Sequence, residues 1–126
     1  MLKAVIIDAN AVSRDLLHAV LVEGKYDVIG QTHTSAQGYA LVQKHHPHIV
    51  CVALDQVEDD THIVESIREH FPKTLVFMVS GAIDAQILQD AQARGVNGFI
   101  VKPFKADTVL KSIRNTVLSM IKSQQA

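Results

Sequence analysis

The feature that most constrains the fold is an apolar run in the middle of the chain, Pro47-His48-Ile49-Val50-Cys51-Val52-Ala53-Leu54-Asp55. A parallel strand buried on both faces is continuously apolar, whereas a half-buried strand alternates apolar and polar side chains. The run therefore predicts a central strand of a parallel sheet. In an open α/β sheet, ligands bind just beyond the carboxyl ends of the strands. Residues 53–55 are accordingly expected to lie at the functional edge.

Strand and helix patterns alternate along the whole chain. Strands are predicted over residues 3–8, 26–30, 48–54, 74–80 and 98–101, the second being short, half polar and therefore an edge strand. Helical patterns follow each strand: residues 12–23, a helix capped by Ser35 and ending before Pro47, a helix capped by Asp59 or Asp60 and stopped by Pro72, residues 84–95, and residues 106–122. Crossovers of this length require parallel, right-handed connections, so the fold class is an α/β doubly wound parallel sheet.

Composition limits the class of protein. With 126 residues and 48% hydrophobic residues, the chain is expected to form one domain over residues 1–122 with a polar, frayed tail over 123–126. Lys and Arg number 12 against 13 Asp and Glu, which argues against a nucleic-acid partner. The single cysteine excludes a disulfide framework. The absence of a signal peptide or a membrane-length apolar run favours a cytoplasmic protein that does not contact a membrane.

Polar and small residues follow four of the predicted strands. They are Asp8 and Ala9, then Ala53 to Asp55, then Ser80 and Gly81, and finally Lys102 and Pro103. The carboxyl ends of parallel strands meet at one edge of the sheet, so an acid, a hydroxyl and an amine are expected to converge there. Such a set suits an anionic ligand such as a phosphoryl group.

Four short motifs give the chain a specific resemblance. They are VIID ending the first strand, PHIV opening the third, MVSG ending the fourth, and GFIVKPF spanning the fifth. On these motifs the chain resembles the receiver domain of two-component response regulators over essentially its whole length. The resemblance implies the flavodoxin-like (βα)5 fold with strand order 2-1-3-4-5. It also implies a signalling module rather than an enzyme.

The resemblance also implies roles for individual residues. In that family, Mg²⁺ and a phosphoryl group from a histidine kinase meet at an aspartate that ends the third strand. Asp8 matches the first of two metal-binding acids, and Ala9 takes the place of the second. Ser80 and Lys102 match the residues that contact phosphoryl oxygens, and Phe99 matches an aromatic residue that reports the switch. The resemblance further implies a cis bond between Lys102 and the following proline.

The phosphoacceptor position carries an alanine. The family places the acceptor about six residues after the proline that opens the third strand, and from Pro47 that residue is Ala53. The distance from Asp8 and the length of the following loop also favour Ala53. An alanine cannot form an acyl phosphate. The alternative is that Asp55, two residues later and on the same side of an extended strand, serves as acceptor.

The resemblance, together with these departures from it, implies an atypical, stand-alone receiver that signals through protein–protein contacts and needs no cofactor; a piece of a larger regulator or hybrid kinase is the alternative to a stand-alone chain. The partners it implies are a histidine kinase and an output or effector protein. It also implies a working face, which could form a homodimer, on the helix after strand four, strand five and the last helix, including Phe99, Pro103, Phe104 and Lys105. The alternative is a phosphorylatable receiver in which Asp8 and Asp55 bind Mg²⁺. A flavodoxin-like small-ligand binder is disfavoured because no phosphate-binding loop follows strand one.

Overall fold

A parallel sheet with strand order β2-β1-β3-β4-β5 forms the centre of the computed structural model, which describes residues 1–125 and the side chains of residues 1–122. The strands are β1 Lys3–Ile7, β2 Asp27–Thr32, β3 Ile49–Ala53, β4 Leu75–Ser80 and β5 Gly98–Val101. The helices are α1 Ala11–Glu23, α2 Ser35–His45, α3 Leu54–Val57, α4 Ile63–His70, α5 Ala85–Arg94 and α6 Ala106–Gln125. The predicted fold class, strand order and edge position of β2 are confirmed. No helix of the described chain is both long and apolar enough to cross a membrane.

The sheet separates two apolar layers because successive side chains of each strand point to opposite faces. Val50 and Val52 of β3 pack with α2, α4 and α5, whereas Ile49 and Cys51 pack with α1 and α6. All five residues of β3 are buried, as expected of a central parallel strand. Burial raises the pKa of the Cys51 thiol to about 12.

Several element ends differ from the sequence prediction. The second strand covers Asp27–Thr32 rather than residues 26–30. The third strand ends at Ala53 rather than at residue 54, and Leu54 begins the one-turn helix α3, which the sequence did not indicate. The last helix continues to Gln125, three residues beyond its predicted end, so residues 123–125 are helical; Ala126 lies outside the described residues.

Two predicted helix caps are wrong. Helix α2 is capped by Thr34, whose hydroxyl accepts from the Gln37 N–H, and Ser35 is already inside the helix. Helix α4 begins after His62, a left-handed residue with no side-chain cap, instead of after Asp59 or Asp60. The reason is that Ser35 and Asp59 bond to each other: the Ser35 hydroxyl donates to the Asp59 carboxylate at 2.5 Å.

Asp59 connects the segment after β3 to the start of α2 through hydrogen bonds. Its other carboxylate oxygen accepts from the Thr61 N–H at 2.9 Å and from the Thr61 hydroxyl. Burial alone would raise the pKa of Asp59, but these hydrogen bonds from Ser35 and Thr61 outweigh it and hold the pKa below its ordinary value. The ionised carboxylate therefore stabilises the folded chain.

We expect Asp59→Asn to lower the free energy of unfolding at pH 7 by about 1 kcal/mol, since it removes charged hydrogen bonds near the surface. A carboxyl group with a depressed folded pKa contributes fully above its unfolded pKa of about 4 and loses that contribution as the pH falls through the lower folded value. Urea unfolding of parent and variant between pH 7 and pH 2 should show the difference shrinking below about pH 4. The exposed neighbour supplies a control: Asp60→Asn should change stability by less than about 0.5 kcal/mol. A difference that is independent of pH would contradict the role given to the carboxylate.

Candidate functional site

The register of the sheet brings the predicted strand-end residues to one edge. Ile7 pairs with Val52, so Asp8 and Ala53 come next on adjacent strands. Ala53 in turn pairs with Val79, the residue before Ser80. The Lys102 N–H donates to the Ser80 carbonyl at 2.9 Å, which brings the lysine to the same edge.

Asp8 and Lys102 form an ion pair at this edge. Lys102 Nζ lies 3.6 Å from Asp8 Oδ2, with the aspartate side chain 8% exposed and the lysine side chain 30% exposed. The Lys102–Pro103 peptide bond is cis, as the resemblance implied. The pair places one negative and one positive charge side by side, so this part of the edge is close to electrically neutral.

Two neighbours hold Asp8, namely Asn10 at the same strand end and Arg14 in α1. The Asn10 N–H donates to Asp8 Oδ1 at 2.9 Å, and the Asn10 side chain caps α1 by accepting from the Ser13 N–H. Arg14 Nη1 donates to the Asp8 carbonyl at 2.7 Å. An Asn directly before a helical pattern is a recognisable cap signal, but nothing in the sequence marks Arg14 as a partner of a strand-end carbonyl. Together these bonds fix the carboxylate in its contact with Lys102.

Ser80 is at the predicted place but its hydroxyl is engaged locally. The side chain is 4% exposed. Its Oγ donates to the Ala82 carbonyl at 2.7 Å and lies 3.2 Å from the Ala82 N–H. Gly81, between them, is exposed, and a Cβ added at this position would meet no atom within 4 Å. The Ser80 hydroxyl could donate a hydrogen bond to a ligand at this edge only after breaking its bond to the Ala82 carbonyl.

Ala53 and Asp55 differ in position. Ala53 is the last residue of β3, is 7% exposed and precedes the first turn of α3 without providing a side-chain cap. Asp55 lies in that first turn and is exposed. In the described part of the chain, it makes no hydrogen bond or ion pair with Asp8, Ser80 or Lys102. The residue that lies opposite Asp8 at the strand ends is therefore Ala53, and Asp55 is on a helical turn beyond it.

The residues at this edge do not fit the Mg²⁺ ion that the family implies. Mg²⁺ requires near-octahedral oxygen ligation and relies on carboxylates. Asp8 is already paired with Lys102, and methyl groups occupy positions 9 and 53. Among the described residues, no group of three or more His, Cys, Asp or Glu side chains is arranged to hold a metal ion. At the strand ends the carboxylate of Asp8 is thus already engaged by the neighbouring ammonium.

The predicted working face contains a cavity of about 500 Å³ between β5 and α6. Half-buried Phe99 lines it together with Val101, Lys102, Pro103 and Lys105. Val101 is 51% exposed although it lies on a strand. Phe104, by contrast, packs against the core between the sheet, α1 and α6. The face therefore joins an apolar opening to an exposed lysine.

Comparison with known sequences gives a consistent assignment. A family model described as the response regulator receiver domain matches residues 4–114. The chain is similar to the chemotaxis protein CheY of Bacillus subtilis, with 28% identity over 116 residues that cover 91% of this chain and 97% of that protein. It is also similar to the transcriptional regulatory protein LnrK of the same organism, with 24% identity over 90% of this chain and 52% of that protein.

Solved structures share the fold at lower identity. The chemotaxis response regulator CheY4 of Vibrio cholerae has a TM-score of 0.82 at 21% identity, over 92% of this chain and 98% of that chain. A CheY-like receiver domain protein from Methanospirillum hungatei has a TM-score of 0.84 at 18% identity, over 98% of both chains.

Proposed function

The chain belongs to the response regulator receiver domain family, and we propose that it acts in two-component signalling without phosphorylation at the usual position. Receiver domains are signalling modules that interact with partners such as kinases or effectors. In this proposal the protein is a cytoplasmic, non-enzymatic receiver that conveys its signal through protein–protein contacts. The observation that carries it is Ala53, which ends β3 where the family has its phosphoacceptor.

The Asp8–Lys102 ion pair supports the same proposal. In the family, the lysine at this position contacts a phosphoryl oxygen. Here Lys102 Nζ has a carboxylate partner 3.6 Å away, and both groups are at least partly shielded from water. Shielding strengthens a Coulomb interaction. With alanine at positions 9 and 53, Asp8 and Lys102 balance each other's charge without a metal ion or a phosphoryl group.

We propose that the surface formed by α5, β5 and α6 is where a partner, or a second copy of this chain, docks. The cavity beside Phe99 offers an apolar recess, and Val101 is exposed at the mouth. Lys105 adds a positive charge at the rim, where charges mainly affect association rate and specificity. Gln86 and Gln89 are exposed on α5. Phe99 serves as the movable element because it is only half buried.

The first prediction concerns phosphorylation. Incubation with a small phosphodonor such as acetyl phosphate and Mg²⁺ should leave the intact mass unchanged, because position 53 offers no carboxylate. A base-labile phosphoryl adduct in the parent that disappears in Asp55→Asn would identify Asp55 as the acceptor and overturn the proposal. The Asp60→Asn variant serves as a matched control, since it removes one exposed carboxylate that is not part of this edge.

The second prediction concerns the docking surface. Charge reversal by Lys105→Glu should weaken binding of the partner by about tenfold or more and leave the melting temperature nearly unchanged, because Lys105 is exposed. Titration calorimetry measures the dissociation constant for the partner, and sedimentation equilibrium measures that for self-association. The control is Lys44→Glu on α2, an exposed lysine away from this surface. Equal losses from the two reversals would refute the assignment of the surface.

The third prediction restores the missing acids. In Ala9→Asp plus Ala53→Asp, three carboxylates face only Lys102, so they repel one another without a metal. The double variant should accordingly be less stable than Ala9→Asp plus Ala53→Asn in chelator. A Mg²⁺ concentration tenfold above its dissociation constant should then stabilise the double-acid variant by about 1.4 kcal/mol, because the ion binds only the folded chain.

The Ala53→Asn partner variant is needed because position 53 is the N-cap of α3, where Asp and Asn are both favoured over Ala. It separates helix capping from metal binding. The measurement is melting temperature with and without Mg²⁺, together with phosphorylation by a small donor, which the double-acid variant should accept. A Mg²⁺ shift in the parent as large as in the double-acid variant would mean that Asp55 completes a metal site and that Ala53 is wrongly placed.

A further inference from the structure

Three adjoining cavities lie at the edge of the sheet opposite Asp8 and Ser80. Their volumes are about 510, 250 and 340 Å³. The first two share Leu75 and Met120, and the last two share His48 and Lys73. Leu75 opens β4 and Ile49, in the middle cavity, opens β3, so the cavities follow the amino ends of the strands. We call this continuous depression the amino-edge groove.

The middle of the amino-edge groove is apolar. Its lining includes Leu2, Ile49, Leu75, Val117, Met120 and Ile121. Leu2, Val117 and Met120 are only partly buried against the core below them. Ile121, near the end of α6, is 44% exposed. Large apolar side chains around a concave recess favour insertion of a partner's apolar side chain.

The charged groups of the groove all have one sign. Of the titratable side chains that line its three cavities, two are Arg68 and Lys73 and two are His46 and His48; none is an Asp or a Glu. In the described chain, neither Arg68 nor Lys73 has a carboxylate within ion-pair distance. The groove therefore carries positive charge that no acid of the described chain pairs with directly.

Arg68 has buried N–H groups that lack a hydrogen-bond acceptor, whereas Lys73 is exposed. Its Nη1 donates to the Pro72 carbonyl at 3.3 Å, but Nε and Nη2 are buried without a hydrogen-bond partner among the described residues. The side-chain stem lies against Gly95, which has φ of +115° and where an added Cβ would clash with Arg68 Cγ. Burial lowers the pKa of Arg68. A desolvated cation of this kind interacts strongly with a negative charge brought to the cavity mouth.

His48 offers the groove a hydrogen-bond donor even when its ring is neutral. Its Nδ1 accepts from the Lys3 N–H at 2.9 Å, so the ring proton of the neutral side chain is on Nε2. His48 is exposed and lines two of the three cavities. Nε2–H is accordingly available to an acceptor in the groove.

From this arrangement we infer that the amino-edge groove is a second docking site, and that it binds an acidic protein segment carrying large apolar side chains. The apolar side chains fill the middle cavity, and the acidic ones lie beside Lys73 and the mouth of the Arg68 cavity. The site is independent of the proposed function, because it is at the opposite edge of the sheet from Lys102 and is not part of the surface around Phe99.

The shape favours a protein segment over an anionic membrane. A membrane surface takes up protruding apolar side chains beside a cluster of many lysines or arginines. The groove instead is concave, and its formal positive charges are the two on Arg68 and Lys73. Two charges are sufficient to orient a short acidic peptide, and recesses of this size accept single side chains.

The test is selection of binders from a displayed library of random 12-residue peptides against the folded protein. We expect the enriched peptides to combine Asp or Glu with Leu, Ile or Phe. They should shift the backbone amide resonances of Leu75, Asn97 and Met120 in spectra of the labelled protein, and leave those of Phe99 and Lys102 unchanged.

Two variants and a matched control sharpen the result. Lys73→Glu and Ile121→Ser, both at exposed positions, should each weaken the selected peptides at least about fivefold. Lys111→Glu, an exposed reversal on α6 outside the three cavities, should change affinity by less than about twofold. A selection repeated on Lys73→Glu should lose the preference for acidic peptides. Thermal melting confirms that each variant remains folded.

Several outcomes would overturn the inference. They are the absence of enriched peptides, enrichment without acidic residues, and resonance shifts that fall at the edge around Asp8 or on the surface around Phe99. Binding of the parent to phosphatidylserine vesicles, with loss in Lys73→Glu and no enriched peptide, would assign the groove to membranes and likewise refute a protein ligand.

Discussion

The parallel pairing of β3 with both β1 and β4 is the constraint on which the rest of the structure depends. It buries β3 on both faces, and it places the residues after β1, β3 and β4 at one edge. Because the register is fixed by apolar side chains on two faces, a shift by one residue would turn every core side chain of β3 to the wrong layer. The position of Ala53 beside Asp8 is therefore a consequence of packing, and Asp55 could take the strand position of Ala53 only by a register shift that displaces Val50 and Val52.

This constraint also explains why the carboxyl edge is nearly neutral. A receiver with several acids at this edge depends on a cation to offset their repulsion. Here positions 9 and 53 carry alanine, and Lys102 is close enough to Asp8 to balance its charge. This pair can thus be stable with no added ion or group. The two ends of the sheet then differ in electrostatic character, since the carboxyl edge holds an ion pair, whereas the arginine and lysine of the amino-edge groove have no carboxylate within ion-pair distance in the described chain.

Most of the fold was predictable from the sequence, because continuous apolar runs and long crossovers leave few alternatives to a doubly wound sheet. The approach of Lys102 to Asp8 was predictable for the same reason. The caps of α2 and α4 were not, because Ser35 and Asp59 are 24 residues apart and their hydrogen bond has no local signal. Helix α3 was missed because Leu54 continues the apolar run of β3 and a helix of four residues is too short to show a helical period. The amino-edge groove depends on residues from five separate segments, which no local pattern connects.

The burial of Cys51 gives the protein a built-in chemical probe of its own opening. The chain has one cysteine, it is completely buried in β3, and burial keeps its thiol protonated at neutral pH. A thiol reagent reaches it only when the sheet separates from α1 and α6, so the rate of labelling counts opening events of the central strand. In the limit of fast reclosing that rate gives the free energy of opening under native conditions, with no denaturant and no introduced label. A ligand at either edge of the sheet would then register as slower modification of a residue that it never touches.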